Sequence, residues 1–275
     1  MKKNISYRIK MNNGVEIPQL GFGVYLTKSG SECTNAIHWA FEAGYRHVDT
    51  AKFYRNEKDV GEAIRNSGIN RKEVFVTTKL WNEDHGYDSA LKAFDKSLKT
   101  LNIDYIDCYL IHWPVHEKRK DSWKALEKIY ESGYCKSIGV SNYMIPHLKE
   151  LFTYANIIPA INQVEFNPFI YQKDLLEECN KNKIILEAYA PLTRSKKLND
   201  KKVLSIAQRH KKSNAQVLIR WAIQHELVVI PKSVHKERII ENANVFDFIL
   251  DESDMEILDN MDEGFRSSWD PTKID

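Results

Sequence analysis

The sequence predicts an α/β fold, a (β/α)8 TIM barrel of eight parallel strands each followed by a helix, and three observations predict it. Strand-like runs and stretches of helical periodicity alternate from about Leu20 to Ser233. The 275 residues, 43% of them hydrophobic, hold one uninterrupted pattern of the size typical of such barrels, so residues 1–275 are expected to form one domain. Polar and charged side chains sit at the ends of strand-like runs, where a barrel assembles its active site.

Taken in chain order, YRIKMNNGVEIP reads as a β-hairpin, because Asn13-Gly14 tolerates the positive φ angles of a tight turn between two short alternating runs. It is expected to plug one end of the barrel. The eight strands are then LGFGV, RHVDT, VFVTTKL, IDCYLIHW, KSIGVS, AINQVEF, IILEAYA and LVVIPKS. Between them, residues 31–43, 88–101, 121–132 and 213–225 carry apolar side chains at helical spacing. Strand and helix in alternation, joined by short linkers, imply parallel pairing. Ser213 with Gln216 has capping-box spacing, and Asp174 is placed to cap the helix that begins before Leu175. Residues 200–211 form an additional helix. The C-terminus offers one short helix and a short irregular tail.

Composition excludes several classes of function. Forty basic residues balance 38 acidic ones for a formal charge of +2, which provides no field to gather nucleic acid or an anionic membrane. A small soluble ligand fits better. The lysine pairs Lys196-Lys197, Lys201-Lys202 and Lys211-Lys212 read as solvated loop tips and faces. No apolar run has the length of a signal-peptide core or a membrane span, so a cytoplasmic location is expected. Cys33, Cys108, Cys135 and Cys179 form no CxxC pair, read as reduced thiols, and suggest no zinc site.

Four side chains stand out. Asp49 ends RHVD and could cap the following helix. Tyr54 could be an ordinary half-buried aromatic. Lys79 lies in the otherwise nearly apolar VFVTTKL, and a lysine at such depth is seldom buried without a partner. His112 lies in LIHWP, where a lone histidine is more often a satisfied core residue. Together they make a proton-donor set: a phenol beside an ammonium, with a carboxylate holding the ammonium. The lysine is expected to lower the phenol's pKa. Gly21-Phe22-Gly23 begins like a dinucleotide-binding turn, but position six is Leu26 and no long helix follows at once, so it is assigned to the first barrel strand. The better anion site is Lys232-Ser233 after the eighth strand, with Arg238 and a helix start nearby.

The segments LGFGVY, GYRHVDTAKFYRNE, VTTKLWN, YLIHWP, IGVSNY, INQVEFNP, EAYAPL and IPKS resemble, in order, those of the aldo-keto reductases, and specifically a microbial branch that includes 2,5-diketo-D-gluconate reductases, glyoxal and methylglyoxal reductases and protozoan prostaglandin F synthases. The resemblance implies NADPH-dependent reduction of aldehydes and ketones, with Tyr54 as general acid, Lys79 and Asp49 supporting it, and His112 orienting the carbonyl. No metal is implied. It places Ser141, Asn142 and Gln163 on the nicotinamide carboxamide and Tyr189 against the nicotinamide ring, with Pro191 and Leu192 also at the cofactor. Lys232, Ser233 and Arg238 fall at the 2′-phosphate, and Glu241 and Asn242 near the adenine. Tyr25, Trp81 and Trp113 line the substrate mouth, where aromatic walls suit small dicarbonyls, aromatic aldehydes and sugar-derived carbonyls. Val24 stands where the family usually has Thr or Ser. Tails in this family often border the pocket; this one is short, and its role stays open.

Two other classes remain at this point. A nicotinamide-binding sensor or structural protein could use the same fold without turnover, although an intact tetrad weighs against that. A metal-dependent hydrolase could draw on His47, Asp49 and His112, yet the sequence has no closely spaced ligand histidines early in the barrel. No long heptad or exposed apolar stripe is visible, which leaves the state of assembly open; a monomer is the expectation.

Overall fold

The computed structural model describes residues 3–274. Strands β1 (Arg8–Lys10) and β2 (Glu16–Pro18) form the antiparallel hairpin, with Ile9 opposite Ile17. Its turn closes through the Gly14 N–H donating to Met11 O at 3.0 Å and the Met11 N–H to Val15 O at 2.9 Å. Only Gly14, at φ 86°, occupies the left-handed region, so the loop is a three-residue turn ending in a glycine bulge rather than a two-residue one. Met11 and Ile17 pack with Phe75, Cys108, Ile161 and Val228, the first residues of four barrel strands. The hairpin therefore seals the N-terminal end of the barrel, opposite the strand ends that carry the chemistry.

The barrel strands are β3 (Phe22–Gly23), β4 (His47–Asp49), β5 (Phe75–Leu80), β6 (Cys108–Ile111), β7 (Ile138–Ser141), β8 (Ile161–Glu165), β9 (Ile185–Tyr189) and β10 (Val228–Val229). Each pairs in parallel with its neighbours in chain order. The ring closes where Leu20 bridges Val229 in parallel, with the Gly21 N–H donating to Val229 O and the Val229 N–H to Gln19 O, both at 2.9 Å. Close approach makes glycine obligatory there: a Cβ on Gly21 would lie 2.4 Å from His47 Nδ1. All eight sequence-derived strands are present, and the Gly21-Phe22-Gly23 run is the first of them.

Among the described residues ten α-helices surround the ring: α1 (Ser31–Glu42), α2 (Glu57–Asn66), α3 (Tyr87–Leu101), α4 (Arg119–Glu131), α5 (Ile145–Phe152), α6 (Lys173–Lys181), α7 (Lys201–His210), α8 (Asn214–Gln224), α9 (Lys236–Ala243) and α10 (Glu252–Asp259). The caps follow local chemistry. Ser213 Oγ accepts from the Gln216 N–H at 3.3 Å while Gln216 Oε1 accepts from the Ser213 N–H at 3.0 Å, which is the expected capping box. Asp200 caps α7, the additional helix, by accepting from the Lys202 N–H at 2.8 Å. Asp174 does not cap α6. That helix begins one residue earlier with Gln172 at the cap position and no side-chain cap bond, and Asp174 lies inside its first turn, where its charge still suits the helix N-terminus. Trp123, Trp221, Tyr45, Tyr109 and Phe166 are fully buried. Among the described residues no helix is long and apolar enough to cross a membrane.

Candidate active site

Each tetrad residue is delivered by a strand end. Asp49 is the last residue of β4, Lys79 the penultimate residue of β5, and His112 the residue after β6. Tyr54 closes the short 3-10 turn Lys52–Tyr54, whose left-handed exit at Arg55 (φ 59°) leads into α2. Parallel pairing sets Asp49 opposite Thr77, two residues before Lys79 on β5, so carboxylate and ammonium point into the barrel side by side.

Lys79 Nζ lies 2.7 and 2.8 Å from the two Asp49 carboxylate oxygens, 2.9 Å from Thr50 O and 3.4 Å from the Tyr54 hydroxyl. The lysine is completely buried. The rings of Tyr54 and His112 stand edge to face, with centroids 5.7 Å apart. The structure thus brings together all four residues picked out from the sequence.

Electrostatically the site departs from the sequence expectation. Burial, and then the nearby Asp49 charge, push the Tyr54 phenol well above its usual range rather than below it. The physical reason is that Asp49 takes up the ammonium's field with two short bonds, leaving the phenol one long contact. Tyr54 is consequently a fully protonated donor. Burial and the Lys79 charge push His112 well below the usual imidazole range, so it is neutral, and its Nδ1 is buried without a partner.

The residues assigned to the nicotinamide cluster at the ends of β7, β8 and β9. Ser141 Oγ donates to Gln163 O at 2.8 Å, Asn142 Nδ2 to His112 O at 3.0 Å, and the Tyr189 hydroxyl to Asn142 Oδ1 at 2.9 Å. Asn142 sits at φ 63°, a left-handed conformation that Asn tolerates better than most residues. Gln163 Nε2 donates to Asp49 Oδ2 at 2.7 Å and to Glu187 Oε2 at 2.8 Å. Both amide protons are spent on acids, which leaves the amide oxygen for a ligand. Pro191 is buried and Leu192 half-buried after β9.

The residues expected to form the anion site lie in the loop from β10 to α9 and on that helix. Lys232 Nζ reaches only Leu26 O, at 3.4 Å, and burial lowers its pKa, a cost that an anionic ligand offsets. Ser233 is buried, with Oγ accepting from the His235 N–H at 3.1 Å. Arg238 is exposed on the first turn of α9 and makes no ion pair or hydrogen bond among the described residues. Asn242 is buried and Glu241 half-buried further along the helix. A half-buried ammonium and an unengaged guanidinium fit a phosphate.

The mouth is aromatic, and part of it was not foreseen. Trp81 stacks on Phe53 at 3.9 Å, Tyr25 lies 4.8 Å from Tyr54, and Trp113 is buried against Trp269, with centroids 5.6 Å apart. Phe53 and Trp269 were missed. Trp269 comes from the C-terminal tail, which settles the tail's position: Glu165 accepts from the Ser267 N–H at 2.8 Å, the Ser267 hydroxyl at 2.5 Å and the Ser268 N–H at 3.2 Å. Arg194, one of three successive left-handed residues (Thr193, Arg194, Ser195), places its guanidinium 5.2 Å from the Tyr25 ring centroid. Val24 is buried and apolar.

His47 lies deeper, with Nε2 3.0 Å from Thr77 Oγ1. Among the described residues no group of three or more His, Cys, Asp or Glu is arranged to hold a metal ion.

The model of the aldo/keto reductase family matches residues 19–263. The chain belongs to that family. Like its relatives this aldo/keto reductase is an oxidoreductase. It is 46% identical over 274 residues to glyoxal reductase of Bacillus subtilis, covering 100% of this chain and 99% of that protein. It is 48% identical over 272 residues to the 9,11-endoperoxide prostaglandin H2 reductase of Trypanosoma cruzi, covering 98% and 96% respectively. Among solved structures, an aldo-keto reductase from a Medee basin deep-sea metagenome superposes with a TM-score of 0.94 at 45% identity, covering 97% of this chain and 99% of the other. A Bombyx mori aldo-keto reductase in complex with NADP superposes with a TM-score of 0.89 at 35% identity, covering 95% and 94%.

Proposed function

We propose that this chain reduces aldehydes and ketones to alcohols with NADPH, and that Asp49, Tyr54, Lys79 and His112 carry the reaction. The observation that carries the reading is the buried Asp49–Lys79 pair, with its ammonium 3.4 Å from the Tyr54 hydroxyl. NADPH, when bound, supplies the hydride. Tyr54 gives its proton to the oxygen of the reduced carbonyl, and Lys79 favours the phenolate that this leaves. His112, held neutral, orients the carbonyl oxygen without competing as a stronger acid. The oxygen of Gln163 and the polar groups of Ser141 and Asn142 receive the carboxamide, Tyr189 bounds the ring, and Lys232, Ser233 and Arg238 hold the 2′-phosphate.

The substrates are small 1,2-dicarbonyls and aromatic aldehydes, which suit a mouth formed by Tyr25, Phe53, Trp81, Trp113 and Trp269. We propose too that it works as a cytoplasmic monomer of one domain. NADPH oxidation is followed with methylglyoxal, phenylglyoxal and a nitrobenzaldehyde in wild type and in Tyr54→Phe. Turnover of the wild type is expected, with a loss of about 10²–10⁴-fold in the variant. No turnover with any of the three sinks the substrate assignment, and a variant retaining most of its rate moves the acid role to another residue.

A further inference from the structure

Two carboxyl groups share one cation beneath the site. Asp49 receives two bonds from Lys79, whereas Glu187, wholly buried on β9, receives only the second proton of Gln163 Nε2, at 2.8 Å on Oε2. Glu187 Oε1 has no hydrogen-bond partner among the described residues. Its nearest candidate, His47 Nε2, stands 3.7 Å away and is already bonded to Thr77 Oγ1. If both acids were ionised, this sealed layer would hold one ammonium against two anions, one of them with an oxygen bonded to nothing. Buried charges persist only when paired and hydrogen-bonded.

We propose that Glu187 carries a proton on Oε1 in the working enzyme and, acting through Gln163, is a positioning residue that keeps the Asp49–Lys79 pair charge-balanced beneath the reacting carbonyl. The inference rests on the tetrad reading above. Burial and the neighbouring Asp49 charge push the Glu187 carboxyl up to about 8, so the proton is present at neutral pH and leaves just above it. Several titratable groups face Glu187. Burial pushes His47 on β4 down to about 3, Cys108 on β6 far up, the Tyr54 phenol far up and Tyr189 on β9 up. Burial pushes the Asp49 carboxyl above its usual range against the pull of Lys79, whose Nζ lies 2.7 Å from its Oδ1. Arg8 is the remaining charge felt at this layer, through His47.

The sign of the effect follows from charge alone. Loss of the Glu187 proton adds a negative charge below the site, which opposes the negative charge growing on a carbonyl oxygen during reduction. It favours a cationic, oxidised nicotinamide over a reduced one. The test uses the full-length protein and Glu187→Gln, which fixes the uncharged state. Infrared difference spectra of the unliganded wild type are expected to show a carboxylic-acid C=O band at about pH 6 that vanishes as pH rises through about 8 and is absent in the variant. The ratio of NADP⁺ to NADPH affinity, read by fluorescence quenching, is expected to rise by up to about tenfold per pH unit above that point in wild type and to stay flat in Glu187→Gln. The reduction rate falls over the same interval in wild type only. A wild type without the band at about pH 6, or a variant with the same affinity ratio profile, overturns the proposal. If the variant does not fold, the wild-type spectra alone decide. The Tyr54→Phe rate fails separately if it is the tetrad reading that is wrong.

Discussion

Replacing Lys79 with Met tests the charge architecture most directly. The ammonium is completely buried, with three contacts between 2.7 and 2.9 Å, and Met is unbranched and nearly as long but carries no charge. Removing one member of a buried ion pair costs about 3–5 kcal/mol, because the other charge is left uncompensated. For a chain of this size that corresponds to a fall of about 10 °C in Tm. The cost depends on pH in a definite direction. Without Lys79 the Asp49 carboxyl, already raised by burial, is raised further, so the folded state holds a proton that the unfolded chain releases above its ordinary carboxyl range. Such a group stabilises at low pH and loses that contribution as pH rises, at about 1.4 kcal/mol per unit. Lys79→Met is therefore expected to recover up to about 4 kcal/mol between pH 8 and pH 5 relative to wild type. Denaturant unfolding followed by circular dichroism at the two pH values provides the measurement. A variant within about 1 kcal/mol of wild type at pH 8, or one whose deficit does not shrink at pH 5, would falsify the reasoning.

Two further outcomes are expected. Arg238→Ala should weaken NADPH by about tenfold or somewhat more, toward the lower end of a charged hydrogen bond because the guanidinium is exposed, and should leave NADH nearly unchanged. Fluorescence titration at fixed salt distinguishes this from equal weakening of both cofactors, which would mean that Arg238 serves the shared adenosine or the fold. Trp269→Ala should raise KM for a nitrobenzaldehyde by about 2–10-fold through loss of aromatic contact while leaving methylglyoxal kinetics and Tm alone, since the indole is 58% exposed. A parallel change with both substrates would place Trp269 outside the substrate mouth.

The barrel and the tetrad were legible because each rests on a local anomaly. Strand-period runs separated by helix-period runs leave few topologies, and Lys79 and His112 stand out as polar residues in apolar surroundings. Glu187 in ILEAY, a carboxylate inside a strand, carries the same signal but was missed, because its meaning depends on Gln163 of the adjacent strand giving both amide protons to acids. Phe53 and Trp269 gave no signal, because what brings them together is a loop and a tail about 200 residues apart, and such encounters carry no periodicity. The direction of the Tyr54 shift was misread for a related reason. The placement of Tyr54 and Lys79 at the ends of successive strand-like runs suggested an ammonium acting on a phenol, whereas the competition from Asp49 depends on distances. Asp174 shows the limit at helix ends, where a shift of one residue turns a cap into a first-turn charge.

Ring closure has a consequence for how the protein comes into being. The strand that begins the barrel finds one of its two neighbours only at Val229, so a growing chain carries an open, curled sheet with an unpaired edge at Gln19–Gly23 until α8 and β10 have left the ribosome. The loop bearing Lys232 and Ser233 emerges in the same moment. Nascent chains tethered before and after residue 233 would thus differ abruptly in protease resistance, while the ability to retain nucleotide would wait for Arg238, Glu241 and Asn242 on α9.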